Sequence, residues 1–317
     1  MSKRLQSLGP LLVLLVLVLL FSVLTANFAS LPNLAAILEA AAIPAIIAIG
    51  LTFLLMQASI DLSVEGITSL ANVLLSITVA NSVTSTDIGL WAVPFVIGIG
   101  LMIGATSAII SVYVRMPSLI VTLGMWLTTV GFAALLFPGR LPQILDTRIT
   151  SLAIDKYFGL SSIVYITLAL IMIATIVEKH TRFGRMCRAI GENEAVLTMS
   201  GIKIVRHKVA AFAIAGGCYA IAGILLGARI GVGNTQSGIG LLLPSIAACV
   251  LGGTLLSGGH GGIRQSVIGV LILITLRNGL IQIGVDPLLQ SALEGAVIIV
   301  AVAGSTWHLR RKIRVIK

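Results

Sequence analysis

The sequence predicts an all-α, polytopic membrane protein of about ten transmembrane helices, with both termini on the cytoplasmic side. Three observations predict it. First, 57% of the 317 residues are apolar and only 10% are charged, with a mean hydropathy of +1.10. Soluble domains carry about 25% charged residues, so this chain could not cover itself with a polar coat. Second, the apolar residues fall in long charge-free runs, each near the roughly 20 residues that cross a bilayer core. Third, the net charge of +10 is concentrated in the short segments between those runs, which is the pattern of membrane orientation and not of a nucleic-acid-binding face.

The runs place spans at 8–26, 36–57, 65–84, 89–113, 117–137, 158–177, 208–228, 239–257, 261–284 and 287–306. The first follows Lys3 and Arg4 and is about 19 residues long, longer than a signal-peptide core, so it reads as a retained helix. With the N-terminus in the cytoplasm, all of the 21 Lys and Arg except Arg140, Arg148, Lys156, Arg229 and Arg277 fall in cytoplasmic segments. Two basic termini on one side require an even number of spans. The whole chain, 1–317, reads as one transmembrane domain. Its polar external loop covers about 138–157, and its basic cytoplasmic loop, about 178–208, has room for a short helix.

Several function classes find no support in the residues. There is no G-x-x-x-x-G-K-[ST] phosphate loop and no H-E-x-x-H. Cys187, Cys218 and Cys249 are too widely spaced for a metal site or a disulfide framework and read as small apolar fillers. His180, His207, His260 and His308 all sit at expected helix ends. No metal-binding set is expected, and no clustered nucleophile, base or carboxylate pair suggests an enzyme. Glycine is abundant, 33 residues, and densest over 252–262, which reads as a tight turn or helix break of the kind membrane proteins place beside a cavity.

Asp61 sits in a short connection, 59–66, between two apolar runs. It could cap the following helix, with Ser63 as another candidate. The run Ile60-Asp61-Leu62-Ser63-Val64 resembles the signature of ribose-type ABC importer permeases. Three further segments agree and follow in the same order: Pro117-Ser-Leu-Ile-Val-Thr-Leu-Gly124; Thr181-Arg-Phe-Gly-Arg-Met-Cys-Arg-Ala-Ile-Gly-Glu-Asn-Glu-Ala195 with Ser200-Gly201-Ile202; and Ala248-Cys-Val-Leu-Gly-Gly-Thr-Leu-Leu-Ser-Gly-Gly-His-Gly262. The resemblance covers nearly the whole chain. The chain departs from it where the family has a glycine pair before the first motif and a glycine after it; here stand Ala58, Ser59 and Glu65.

The resemblance implies a division of labour in a bacterial inner membrane. This chain would line the path for a monosaccharide or related small polar solute and pair with a second permease, identical or similar. A separate cytoplasmic ABC ATPase would bind ATP and Mg, leaving this chain without a cofactor. A periplasmic or lipid-anchored binding protein would deliver the solute. The coupling role is carried over to Gly191, Glu192, Asn193, Glu194, Ala195 and Gly201. Nucleoside and branched-chain amino acid permeases are the neighbouring alternatives. A secondary carrier would need intramembrane carboxylates for a coupling ion, and no such constellation stands out.

Chemistry and span position suggest Thr52, Asp61, Ser63, Thr122, Asn278 and Gln282 as polar groups on the path, with Trp126 as a ring that could cover a sugar face. Arg277 and Glu294 fall at matching depths, roughly 10–12 Å from the same end of consecutive antiparallel spans at 1.5 Å per residue. Ionisable groups at such depth are normally paired, so a buried ion pair is expected.

Overall fold

The computed structural model describes residues 3–306 and is mostly helical. The helices are α1 (Lys3–Leu24), α2 (Leu31–Met56), α3 (Val64–Thr78), α4 (Ala92–Tyr113), α5 (Ser118–Leu136), α6 (Thr147–Ile154), α7 (Ser162–His180), α8 (Arg182–Met199), α9 (Ile204–Ile230), α10 (Leu242–Leu251), α11 (Ile263–Ile283) and α12 (Pro287–Thr306). A two-stranded antiparallel hairpin, β1 (Lys156–Tyr157) and β2 (Leu160–Ser161), precedes α7. Among the described residues, six helices are long and apolar enough to cross a membrane, namely α2, α4 with its leading turn, α5, α7, α9 and α11. His308 and the basic cluster Arg310, Arg311, Lys312, Arg314 and Lys317 lie outside the described residues.

Two helices form the centre. α2 and α9 are apolar all round and buried along most of their length, as a helix without a solvent face must be. α9 packs against α2, α3, α4 and α6. Small residues bring the backbones into contact. A methyl group added to Gly104 of α4 would strike the Phe212 carbonyl of α9, and one on Gly216 of α9 would strike the Gly100 carbonyl of α4. Close approach through small residues is the usual way membrane helices gain dispersion contact without a hydrophobic driving force. The outside is apolar as well: Leu19 and Val23 of α1, Leu127 and Leu135 of α5, and Leu168 and Met172 of α7 are exposed. A surface of this kind suits lipid rather than water.

The structure differs from the expected spans at two places. The span expected at 65–84 ends as helix at Thr78, and the chain continues extended to a bridge between Asn81 and Ile144. The span expected at 239–257 contains only the 10-residue α10. At 1.5 Å per residue that is about 15 Å, half of a bilayer core. Glycine sets both ends: Gly240 precedes α10 and Gly253 follows it, each with positive φ. The stretch 252–262 is the turn from α10 to α11. The basic segment 178–208 is largely helical rather than a loop, being occupied by α8 and the start of α9. At the opposite end of the bundle, segment 138–146 is pinned by the Asn81–Ile144 and Gln143–Val232 bridges, and α6 sits on α9 with Ile149 buried.

Candidate functional site

α2 ends in a Schellman turn. Ser59 N–H donates to the Leu54 carbonyl at 3.0 Å and Ala58 N–H to the Leu55 carbonyl at 2.9 Å, the paired bonds that satisfy the last carbonyls of a helix. The residue at the left-handed position is Ala58, φ 55°. That is where the resemblance calls for glycine. Beyond it, Asp61 is fully buried. Its Oδ1 accepts from the Ser63 N–H at 2.8 Å and from the Ser63 hydroxyl at 2.6 Å. Ser63 is the N-cap residue of α3, yet its hydroxyl serves Asp61 and makes no cap bond. Asp61 therefore orders the turn ahead of α3 rather than capping the helix directly. The Tyr219 hydroxyl of α9 interacts with the same carboxylate, although neither it nor Asp61 Oδ2 closes a hydrogen bond.

α5 holds this bend from the side. Thr122 Oγ1 accepts from the Leu62 N–H at 3.0 Å. One turn on, Trp126 and Thr129 press on Gly66 of α3 so closely that no Cβ fits there. Asp61, Ser63, Thr122 and Trp126 are thus gathered at the α3–α5 contact. The other expected path residues lie elsewhere. Thr52 is buried between α2 and α11, where its hydroxyl donates to Ser266 Oγ at 2.7 Å. Asn278 and Gln282 sit together near the far end of α11, Nε2 to Oδ1 at 3.3 Å. Thr52, Asp61, Ser63 and Thr122 have no exposed surface in the single chain, so none of these four faces an open lumen in this conformation.

The expected buried pair needs a correction. Arg277 Nε lies 3.8 Å from Glu294 Oε1, but the Arg277 side chain is 64% exposed and that of Glu294 is 23% exposed. α11 buries the stripe through Leu273, Leu276 and Leu280, and Arg277 falls outside it. The contact is a loose one on the outer face of α11 and α12.

The residues expected to take the coupling role lie at one end of the bundle. α8 is two helical pieces joined at Asn193, whose backbone is extended. Asn193 Oδ1 accepts from the Val196 N–H at 3.1 Å, so the side chain caps the second piece. Glu194 pairs with Lys208 of α9 at 2.7 Å. Ala195 is exposed on the second piece. Gly201 ends the helix in a second Schellman turn: φ is 76°, and Gly201 and Ile202 donate to Thr198 and Leu197. Gly191 is a contact point. A Cβ on it would run into the Met56 carbonyl and the backbone of Gly258 and Gly259. Gly259 N–H itself bonds the Met56 carbonyl at 3.0 Å. The end of α2, the middle of α8 and the α10–α11 turn are therefore backbone-to-backbone neighbours.

These elements, with the α4–α5 turn, surround an open cavity of about 640 Å³ lined by Gln57, Arg115, Gly191, Glu192, Asn193, Glu194 and Lys208 among others. Cys187 is buried beside it and takes a hydrogen bond from Gln57 Nε2 at 3.0 Å; burial raises its thiol to about 11. Among the described residues no three His, Cys, Asp or Glu side chains gather in a way that could hold a metal ion. Sequence reasoning did not single out Glu178, Arg188, Tyr219 or Lys208. Glu178 carried a signal, being the lone acid at the end of an apolar span that runs into Lys179, Arg182, Arg185 and Arg188. Tyr219 carried none, since its role depends on a partner about 160 positions away in the chain.

An apolar helical bundle with six helices long and apolar enough to cross a membrane, and a kinked helix over an open cavity at its basic end, has the build of a multi-pass membrane protein. The chain belongs to the family described as branched-chain amino acid transport system / permease component, whose model matches residues 33–302. It is 34% identical over 297 residues to the ribose import permease protein RbsC of Escherichia coli (strain K12), covering 92% of this chain and 91% of that protein. The corresponding protein of Bacillus subtilis (strain 168) is 35% identical, covering 94% and 92%. The L-arabinose transport system permease protein AraH of Escherichia coli (strain K12) is 32% identical, covering 96% and 92%. No solved structure matches the chain.

Proposed function

We propose that this chain is the permease subunit of an ATP-driven importer for a monosaccharide or related small polar solute, in a bacterial inner membrane. The observation that carries the reading is end-to-end similarity to permeases named for ribose and L-arabinose. The family description is broader and names branched-chain amino acids; the two pentose permeases favour a sugar. In this reading the chain crosses the membrane about ten times and keeps both termini in the cytoplasm. The excess of Lys and Arg at the α8 end supports that orientation.

The energy source is a separate cytoplasmic ABC ATPase that binds ATP and Mg. It docks on α8, where Glu192 and Ala195 are exposed and Gly191 transmits contact directly to α2 and the α10–α11 turn. A second permease completes the path, and a periplasmic or lipid-anchored binding protein delivers the solute. Asp61, Ser63, Thr122 and Trp126 shape the bend beside that path, and a movement of α5 against α3 would expose them. Thr52 is a packing residue in this scheme. Asn278 and Gln282 can present amide groups to a solute at the opposite end.

The test is co-purification in detergent with a candidate ABC ATPase from the same organism, then ATP turnover with a candidate binding protein and a panel of sugars. A stable complex whose turnover rises with one pentose supports the reading. Transport by the chain alone, without ATP, replaces it with a secondary carrier.

A further inference from the structure

Glu178 is placed where its own helix least favours it. It lies in the last turn of α7, the negative end of the helix dipole, where a carboxylate is repelled. It is also buried, at 1% exposure, and a buried charge is costly unless it is paired and hydrogen-bonded. The compensation comes from two other elements. Oε1 pairs with the Arg188 guanidinium of α8. Oε2 accepts from the Ile263 N–H at 2.9 Å, filling one of the orphan donors at the start of α11 with a negative charge at that helix's positive end. Arg188 in turn reaches the Gly261 carbonyl at 3.4 Å.

Two glycines make room for the arrangement. A Cβ on Gly262 would strike the Glu178 carboxylate, and a Cβ on Gly184 would strike the Glu178 backbone. α8 thereby meets the α10–α11 turn twice: through Arg188, which pairs with Glu178 of α7 and reaches the Gly261 carbonyl, and through Gly191 against Gly258 and Gly259 further along.

We infer that Glu178 is a positioning residue that fastens the first piece of α8 to the N-terminus of α11. Movement of α8 is thereby delivered to α11 and the half-length helix before it. The inference rests on the reading of α8 as the surface that meets an ATPase. It adds, beside the Gly191 contact, a charged group through which the push is relayed. The second piece of α8 is not on this relay, because it lies beyond Asn193 and is held to α9 by the Glu194–Lys208 pair.

The test compares basal ATP turnover with turnover stimulated by binding protein loaded with ribose or L-arabinose, in the assembled complex. Glu178→Gln keeps an acceptor for Ile263 and removes the charge that holds Arg188. The expected result is assembly and basal turnover within about twofold of the parent, with the stimulation ratio reduced about fivefold or more, as a coupling free energy would give. A merely structural role would lower yield and both rates together. A ratio equal to that of the parent overturns the inference. Should Glu178→Gln fail to assemble, Arg188→Gln releases α8 while leaving Glu178 on Ile263, and the same loss of ratio is expected. Failure of both variants to assemble also overturns it, because the cluster is then a folding element. A parent complex that shows no stimulation counts against the importer reading itself and is distinguishable on that ground.

Discussion

Glu65 is bonded to Gly240 across 175 residues of chain: its Oε1 accepts the Gly240 N–H at 3.0 Å and that of Leu242 at 3.3 Å. These groups stand at the start of α10, whose N-cap residue Leu241 offers no side-chain acceptor. The acid that departs from the glycine of related permeases thus caps a distant half-helix. Restoring that glycine should be harmful here. Glu65→Gly is expected to cost about 1–2 kcal/mol through lost capping and unsatisfied N–H groups, read as a fall in melting temperature in detergent. An unchanged melting temperature would mean that water caps α10 equally well.

The other departure should behave oppositely. Ala58 occupies a left-handed position that costs an L-residue roughly 1–2 kcal/mol. Ala58→Gly is expected to stabilise the chain by about 1 kcal/mol, after allowing for the greater freedom of glycine in the unfolded chain. Thermal unfolding of the variant beside the parent checks it, and a lower melting point would show that the Ala58 methyl packing on Gly258 outweighs the strain.

Gly191→Ala should be damaging at the α8 end. The added carbon meets backbone atoms of Met56 and Gly259, which cannot rotate away as a side chain would. Overpacking of this kind costs about 1–3 kcal/mol. Reduced yield and weaker co-purification with the ATPase are expected, while Gly124→Ala, at a site with open space around it, should change neither.

Asp146 gives a pH signature at the opposite end. It caps α6 through the Arg148 N–H and pairs with the Arg148 guanidinium at 2.8 Å, and that hydrogen bonding holds its carboxyl below the usual value of 3.8. A depressed folded-state value means that the contribution is fully present above 3.8 and is lost as pH falls through the folded value. Asp146→Asn keeps a capping oxygen and removes the charge. The variant's melting temperature should therefore fall less than the parent's between pH 5 and pH 3. Parallel curves would remove Asp146 from the acid response.

Cys187 should be inert in the folded chain. Burial raises its thiol to about 11, so little thiolate exists near neutral pH. Maleimide labelling at pH 7 is expected only after denaturation, checked by mass spectrometry of the peptide that contains it.

The helices were legible because lipid makes length and apolarity nearly sufficient evidence: the start of α12 at Pro287 and the start of α5 at Ser118 fall within a residue of the charge-free runs. α10 was not legible as a half-helix. Its flanks, 239–257, are as apolar as a true span, and only the left-handed glycines Gly240 and Gly253 mark where the helix stops. For the site, the motifs named Asp61 and the 191–195 segment by their sequence and said nothing of their neighbours in space. Hydropathy gives depth and no azimuth, so Thr52 and Thr122 read alike although one bonds Ser266 and the other the Leu62 backbone. The same blindness put Arg277 inside the bundle, when its helix turns it outward.

The glycine contacts between α4 and α9 have a mechanical consequence. Where Gly104 meets the Phe212 carbonyl and Gly216 meets that of Gly100, there is no layer of side chains to act as a lubricant. Sliding one helix along the other would carry these carbonyls off the glycines and toward positions that bear a Cβ. The two helices therefore behave as one beam, and whatever opens or shuts in this molecule must pivot around that beam rather than bend it.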